Sequence, residues 1–204
     1  MTANQRQALF EALELLWQEA RLQPLTTEGR FYVITGGPGS GKSSLIDALE
    51  RAGYGRTIEA GRKIIQEQMS IGGHALPWDD RTLFAEMMLD REMRSYREAQ
   101  QRKGIVFFDR GVADVSGYLR LLGQPVPEHI KKAAEVVRYN QHVFVAPPWK
   151  EIFRQDRERK QDFEEAIRTC DALVATYQSY GYDLVELPRV SIDARVKFVV
   201  ERVK

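Results

Sequence analysis

The apolar run Phe31-Tyr32-Val33-Ile34 leads into Gly36-Gly37-Pro38-Gly39-Ser40-Gly41-Lys42-Ser43, and this junction constrains the fold more than any other part of the chain. The spacing is a glycine, four residues, then Gly-Lys-Ser. It reads as a strand, a tight glycine-rich turn and a helix starting at about Lys42. Such a turn aims backbone N–H groups and a helix N-terminus into one concavity, which suits phosphate groups. Glycine serves where a Cβ would block the turn. Lys42 is placed to reach the outer phosphates of a nucleoside triphosphate, and the Ser43 hydroxyl to ligate Mg²⁺. The expected nucleotide-contacting residues are Gly36, Gly37, Pro38, Gly39, Ser40, Gly41, Lys42, Ser43 and Ser44.

Beyond this junction the pattern alternates strand and helix, as βαβ units do. Strands are predicted at 31–35, 56–60, 105–109, 142–146 and 183–187. Helices are predicted at 42–52, 60–70, 79–103, 112–122, 128–139, 150–180 and 191–203. Turn residues such as Gly53, Gly104, Pro147-Pro148 and Gly181 fall between them. The fold class is α/β: a P-loop domain over 30–204 with a five-stranded, mostly parallel sheet flanked by helices. Residues 1–29 form an N-terminal helical extension, in which Leu9, Leu13, Leu16, Trp17 and Ala20 share one face. That face either packs back onto the domain or receives a protein partner.

In open parallel sheets the ligand lies at the carboxyl ends of the strands, so the strand ends become the site candidates. Ile105-Val106-Phe107-Phe108 ends in Asp109, a carboxylate placed to hold Mg²⁺ beside Ser43, or else to cap the next helix. Water-activating ATPases usually carry a second acid at the next position, where this chain has Arg110. A guanidinium there suits a second, phosphate-accepting substrate. The Asn-Lys-x-Asp pattern that reads guanine is absent. At the end of the second strand, Glu59 is the candidate general base for a hydroxyl acceptor, or else a helix cap paired with Arg62 or Lys63. Asp114 and Tyr118 share a helix face that could line the acceptor pocket. His74 and Trp78, in the glycine-containing loop 71–78, read equally as acceptor contacts or packing residues. After the fourth strand, residues 147–162 form a candidate lid. On a helix, its Lys150, Arg154 and Arg157 would share one face, and mobile arginines can neutralise a transferring phosphoryl group. The alternative is a solvated helix laced with ion pairs.

Thirty basic and twenty-nine acidic residues leave a net charge of +1, so no global field points to nucleic acid or an anionic membrane. No apolar run approaches the ~20 residues of a membrane span. A single cysteine, Cys170, excludes an internal disulfide framework and fits a reducing, cytoplasmic location.

Several of these segments together resemble a known family: the phosphate loop, Phe107-Phe108-Asp109-Arg110-Gly111, Pro147-Pro148-Trp149 with Arg154 and Arg159, and Gly181 to Arg189. The chain resembles small bacterial AAA-domain ATPases grouped with the ribosylnicotinamide-kinase domain of a NAD-biosynthesis regulator. It is more loosely similar to deoxynucleoside and thymidylate kinases. The resemblance covers about residues 30–203 and implies a kinase-type P-loop fold, with the Pro188-Arg189 loop near the adenine. The expected ligands are ATP, Mg²⁺ and a small hydroxyl-bearing acceptor. The catalytic set is Lys42, Glu59, Asp109, Arg110, Arg154 and Arg159, and the metal ligands are Ser43 and Asp109. A nucleotide-dependent binding module and a simple NTP hydrolase are the alternatives to a kinase.

Overall fold

Strand β1 (Phe31–Thr35) is buried at all five positions. Its side chains alternate between two apolar layers, as the period of a strand requires. Phe31 and Val33 join a core containing Phe108, Val143 and Tyr96, whereas Tyr32 and Ile34 pack with Leu45, Phe107, Phe144 and Val199. A strand buried on both faces reads as an uninterrupted apolar run, which is why this segment stands out in the sequence. The computed structural model describes residues 29–154 and 162–203, together with Gln5 and Gln7.

Four further strands complete the sheet: β2 (Gly55–Arg56), β3 (Val106–Asp109), β4 (His142–Val145) and β5 (Asp183–Glu186). Their order is β2-β3-β1-β4-β5, and every pairing is parallel. Ile34 is in register with Asp109, which brings the end of β3 alongside the chain entering the glycine-rich turn. The helices among the described residues are α1 (Lys42–Arg51), α2 (Ala60–Ile71), α3 (Arg81–Gln100), α4 (Val112–Leu121), α5 (Glu128–Val136), α6 (Phe163–Ser179) and α7 (Ile192–Val200). None of them is long and apolar enough to cross a membrane.

Two elements differ from the sequence reading. The second strand ends at Arg56 rather than Ala60. Thr57 makes one more ladder bond, to Phe107 O at 3.0 Å, after which the chain turns outward at the exposed Ile58 and α2 begins. The helix predicted over 150–180 begins only at Phe163, where Asp162 caps it by accepting from Glu165 N at 2.7 Å. Residues 149–153 make a single turn, with Phe153 N donating to Trp149 O at 3.1 Å, so Lys150 and Arg154 do not share a helical face. Arg157 and Arg159 lie outside the described residues, as does the N-terminal segment 3–22 apart from the helical Gln5 and Gln7.

Candidate functional site

The turn between β1 and α1 is packed against its neighbours so closely that side chains are excluded. A Cβ on Gly37 would lie 2.2 Å from Ala166 O, and one on Gly36, at φ 132°, would lie 2.3 Å from Ala146 O. The Lys42 ammonium is buried and folded back over this turn, donating to Gly36 O at 3.0 Å, Gly37 O at 2.7 Å and Ser40 Oγ at 3.3 Å. The cation thus sits where the turn and the start of α1 present their anion-receiving N–H groups.

Ser43, in the first turn of α1, donates to Asp109 Oδ2 across 3.0 Å. Asp109 is 3% exposed, and its Oδ1 has no hydrogen-bond partner among the described residues. Burial, and next the nearby Glu59 carboxylate, raise its pKa. A buried carboxylate oxygen without a donor, beside a hydroxyl, is the donor set of a hard divalent cation, so Mg²⁺ fits these two residues.

Arg110 follows at the end of β3 with φ 77°, the left-handed region that non-glycine residues rarely adopt. Its guanidinium donates to Glu59 Oε1 at 3.2 Å and Asp114 Oδ1 at 3.0 Å. Burial alone would lower the pKa of Arg110, but Glu59, Asp114 and Asp109 together raise it above the usual arginine value. Asp114 Oδ1 also accepts from Thr35 Oγ1 at 2.7 Å, while its Oδ2 accepts from Gly111 N at 2.9 Å and Tyr177 Oη at 2.5 Å. This carboxylate therefore ties the end of β1, the start of α4 and α6 to Arg110. Such a saturated network can hold a strained backbone conformation in place.

A cavity of about 640 Å³ opens from Pro38 of the phosphate loop. Glu59, Arg110 and Asp114 line it, as do Arg62, Trp78, Phe84 and Tyr118. Phe84 and Tyr118 meet edge to face at 5.5 Å, giving a rigid apolar wall. The buried Tyr118 Oη has no hydrogen-bond partner among the described residues, and burial pushes its pKa up to about 12. His74 lies elsewhere, paired with Asp79 at 2.8 Å, and Arg120 binds Ser179 Oγ at 2.8 Å.

The donor side is less complete. Arg154 donates to Phe153 O at 2.8 Å and so rests on its own turn, and Arg159 is outside the described residues. Arg189 donates to Pro148 O at 3.2 Å, joining the loop after β5 to the start of the lid segment.

Several residues escaped the sequence reading. Glu165, Thr169 and Leu173 line the cavity at intervals of four along α6, and that spacing alone does not say which face of the helix meets the cavity. Glu92 on α3 is 4% exposed, and burial drives its pKa well above the usual carboxylate range, with Asp114 and Asp109 adding to the effect. Thr35, Tyr177 and Arg195 belong to regular elements and carry no motif. Among the described residues no group of three or more His, Cys, Asp or Glu side chains is arranged to hold a metal ion.

Residues 31–195 match a family described as an AAA domain. No curated protein matches the sequence. Deoxyadenosine kinase from M. mycoides, with the products dCMP and a flexible dCDP bound, is 15% identical at a TM-score of 0.62, over 84% of this chain and 97% of that one. NadR in complex with NR is 18% identical at a TM-score of 0.63, over 86% of this chain but 50% of that one. This chain thus spans about half the length of that protein. Thymidylate kinase from Candida albicans is 13% identical at a TM-score of 0.62, over 86% of this chain and 91% of that one. At these identities the likeness establishes the fold, which is the P-loop fold of nucleoside and nucleotide kinases.

Proposed function

The chain belongs to the AAA-domain family, and from that premise we propose that it is a Mg²⁺-dependent kinase. It moves the γ-phosphoryl group of ATP to a hydroxyl of a small, nucleoside-like acceptor. One observation carries this reading: a single cavity is lined by Pro38 of the phosphate loop and by the hydrogen-bonded Glu59–Arg110 pair, which supports an acceptor pocket beside the donor site. A hydrolase needs no second chamber of about 640 Å³ beside its phosphates. The nucleosides and nucleotides named for the similar structures suit that chamber and its aromatic wall.

In this reading residues 30–204 are the catalytic domain and 1–29 an extension, and the protein works in the cytoplasm. Lys42 exchanges the loop carbonyls for β- and γ-phosphate oxygens, which are stronger acceptors for its ammonium. Ser43 and Asp109 hold Mg²⁺, which when bound neutralises phosphate charge. The acceptor oxygen attacks the γ-phosphorus as its proton passes to Glu59. The new O–P bond forms as the bond to the β-phosphate oxygen breaks, leaving ADP. Arg110 holds Glu59 in orientation. Arg154 and Arg159, delivered by the lid segment, balance the charge of the transferring group and exclude water, and Arg189 lies beside the adenine.

ADP formation measured with and without a panel of nucleosides and related alcohols tests the reading. A kinase shows at least one acceptor that raises the rate well above background. Steady phosphate release indifferent to every acceptor would replace it with a hydrolase, and nucleotide binding without turnover would replace it with a binding module.

A further inference from the structure

The arginine at position 195, on α7, is fully buried, with 0% exposure, yet no carboxylate pairs with it among the described residues. A buried guanidinium without an acid partner is costly, so its surroundings need an explanation. Its Nε donates to Pro188 O at 2.8 Å and its Nη1 to Ser40 O at 2.9 Å. The guanidinium carbon lies 4.9 Å from the centre of the Trp149 ring, and Nη2 is buried without a hydrogen-bond partner among the described residues. Burial, and secondly the neighbouring Arg189, lower its pKa from the usual arginine value, as expected for a cation with no compensating anion. Three loops therefore converge on it: the phosphate loop, the start of the lid segment and the loop after β5.

The contact with Ser40 O is the informative one. The peptide joining Ser40 to Gly41 is trans, so the Gly41 N–H points the opposite way from the Ser40 carbonyl. That N–H donates to no acceptor among the described residues. A cation on the carbonyl polarises the peptide and makes the N–H at its other end a stronger donor. Arg195 Nη1 also lies 3.3 Å from where a Gly41 Cβ would be, so it braces the same peptide sterically.

We propose that Arg195 is a positioning residue for the donor: it grips the phosphate loop from behind through Ser40 O and presents the Gly41 N–H to the triphosphate. The bound polyphosphate supplies the negative charge that the buried guanidinium lacks in the free protein. This inference rests on the donor reading of the loop. It requires the effect to follow the phosphates rather than the base.

Calorimetric titration of wild type, Arg195→Gln and Arg195→Lys with Mg-ATP and with inorganic tripolyphosphate tests this. Stoichiometry reports the folded fraction, so a loss of fold is separated from a loss of affinity. Arg195→Gln is expected to weaken both ligands at least about tenfold, because the bound polyphosphate loses a nearby buried positive charge, with Arg195→Lys intermediate. Unchanged affinity per folded molecule would overturn the inference, and so would a loss seen for ATP but not for tripolyphosphate. Wild type that binds neither ligand would overturn the donor reading itself and the inference with it. If Arg195→Gln does not fold, the Lys variant decides by the same two ligands.

Discussion

Arg110 donates to Glu59 Oε1 across 3.2 Å, although fifty-one residues separate them in the chain. The pair joins the end of β3 to the turn after β2, and both residues line the cavity. The same guanidinium holds Asp114 at 3.0 Å, so one cation sets two carboxylates.

Replacing Arg110 with Gln leaves two largely buried carboxylates without their cation. Removal of one partner from a buried ion pair typically costs about 3 kcal/mol, and urea denaturation is expected to show a loss of that order. Turnover is expected to fall further than stability explains, because Glu59 loses its orientation. Equal turnover per folded molecule would show that the pair serves only the fold.

The Ser43–Asp109 contact makes a different prediction. Ser43→Ala and Asp109→Asn each remove one of the two groups suited to Mg²⁺. The Mg²⁺ concentration for half-maximal activity is expected to rise by at least the roughly 10–100-fold typical of outer-shell changes at metal sites. Metal titration of activity at saturating nucleotide measures it. An unchanged Mg²⁺ requirement would remove both residues from the metal site.

How much of this was legible in the sequence depends on how local each signal is. The phosphate loop and Asp109-Arg110 are short motifs at the ends of strands buried on both faces, and the parallel sheet follows from their spacing. The end of β2 leaves no clear sequence mark, because Thr57 continues one ladder bond past the strand while the apolar Ile58 already faces solvent. The helix expected from residue 150 fails for a comparable reason. Its charged composition suits a helix, but the single turn at Trp149–Phe153 packs against the loop glycines instead, with Phe153 2.5 Å from where a Gly39 Cβ would be. Asp114 lines the cavity as its helix face predicts, whereas its bonds to Thr35 and Tyr177 span 79 and 63 residues. Such long-range partners leave no local pattern.

Tyr118 reports on the acceptor side alone. Its buried hydroxyl lacks a partner among the described residues and lines the cavity wall, so an acceptor polar group is its natural complement. Tyr118→Phe is expected to raise the acceptor KM about tenfold, the worth of one hydrogen bond, and to leave the ATP KM unchanged. Steady-state kinetics with each substrate varied in turn separates the two. A change in the ATP KM instead would place the acceptor elsewhere.

Glu92 makes stability depend on pH. Burial favours its protonated form in the folded chain, whereas the unfolded chain releases the proton near pH 4.5. Above that pH the unfolded state binds fewer protons than the folded one, so this group's stabilisation is present below pH 4.5 and is lost as pH rises through the folded pKa. Glu92→Gln removes this dependence while keeping the shape. Its Tm is expected to exceed that of wild type at pH 8 and to converge with it near pH 4.5. Parallel Tm curves across that range would contradict the assignment.

In the kinase reading, Glu59 takes the proton from an acceptor hydroxyl in the cavity. The most direct test incubates wild type and Glu59→Gln with a metabolite pool and γ-labelled ATP, and reads label transfer by mass spectrometry. One labelled phosphorylated product is expected from wild type, reduced roughly 100-fold or more in Glu59→Gln while ATP binding is retained. Full transfer by Glu59→Gln to the same product would contradict it.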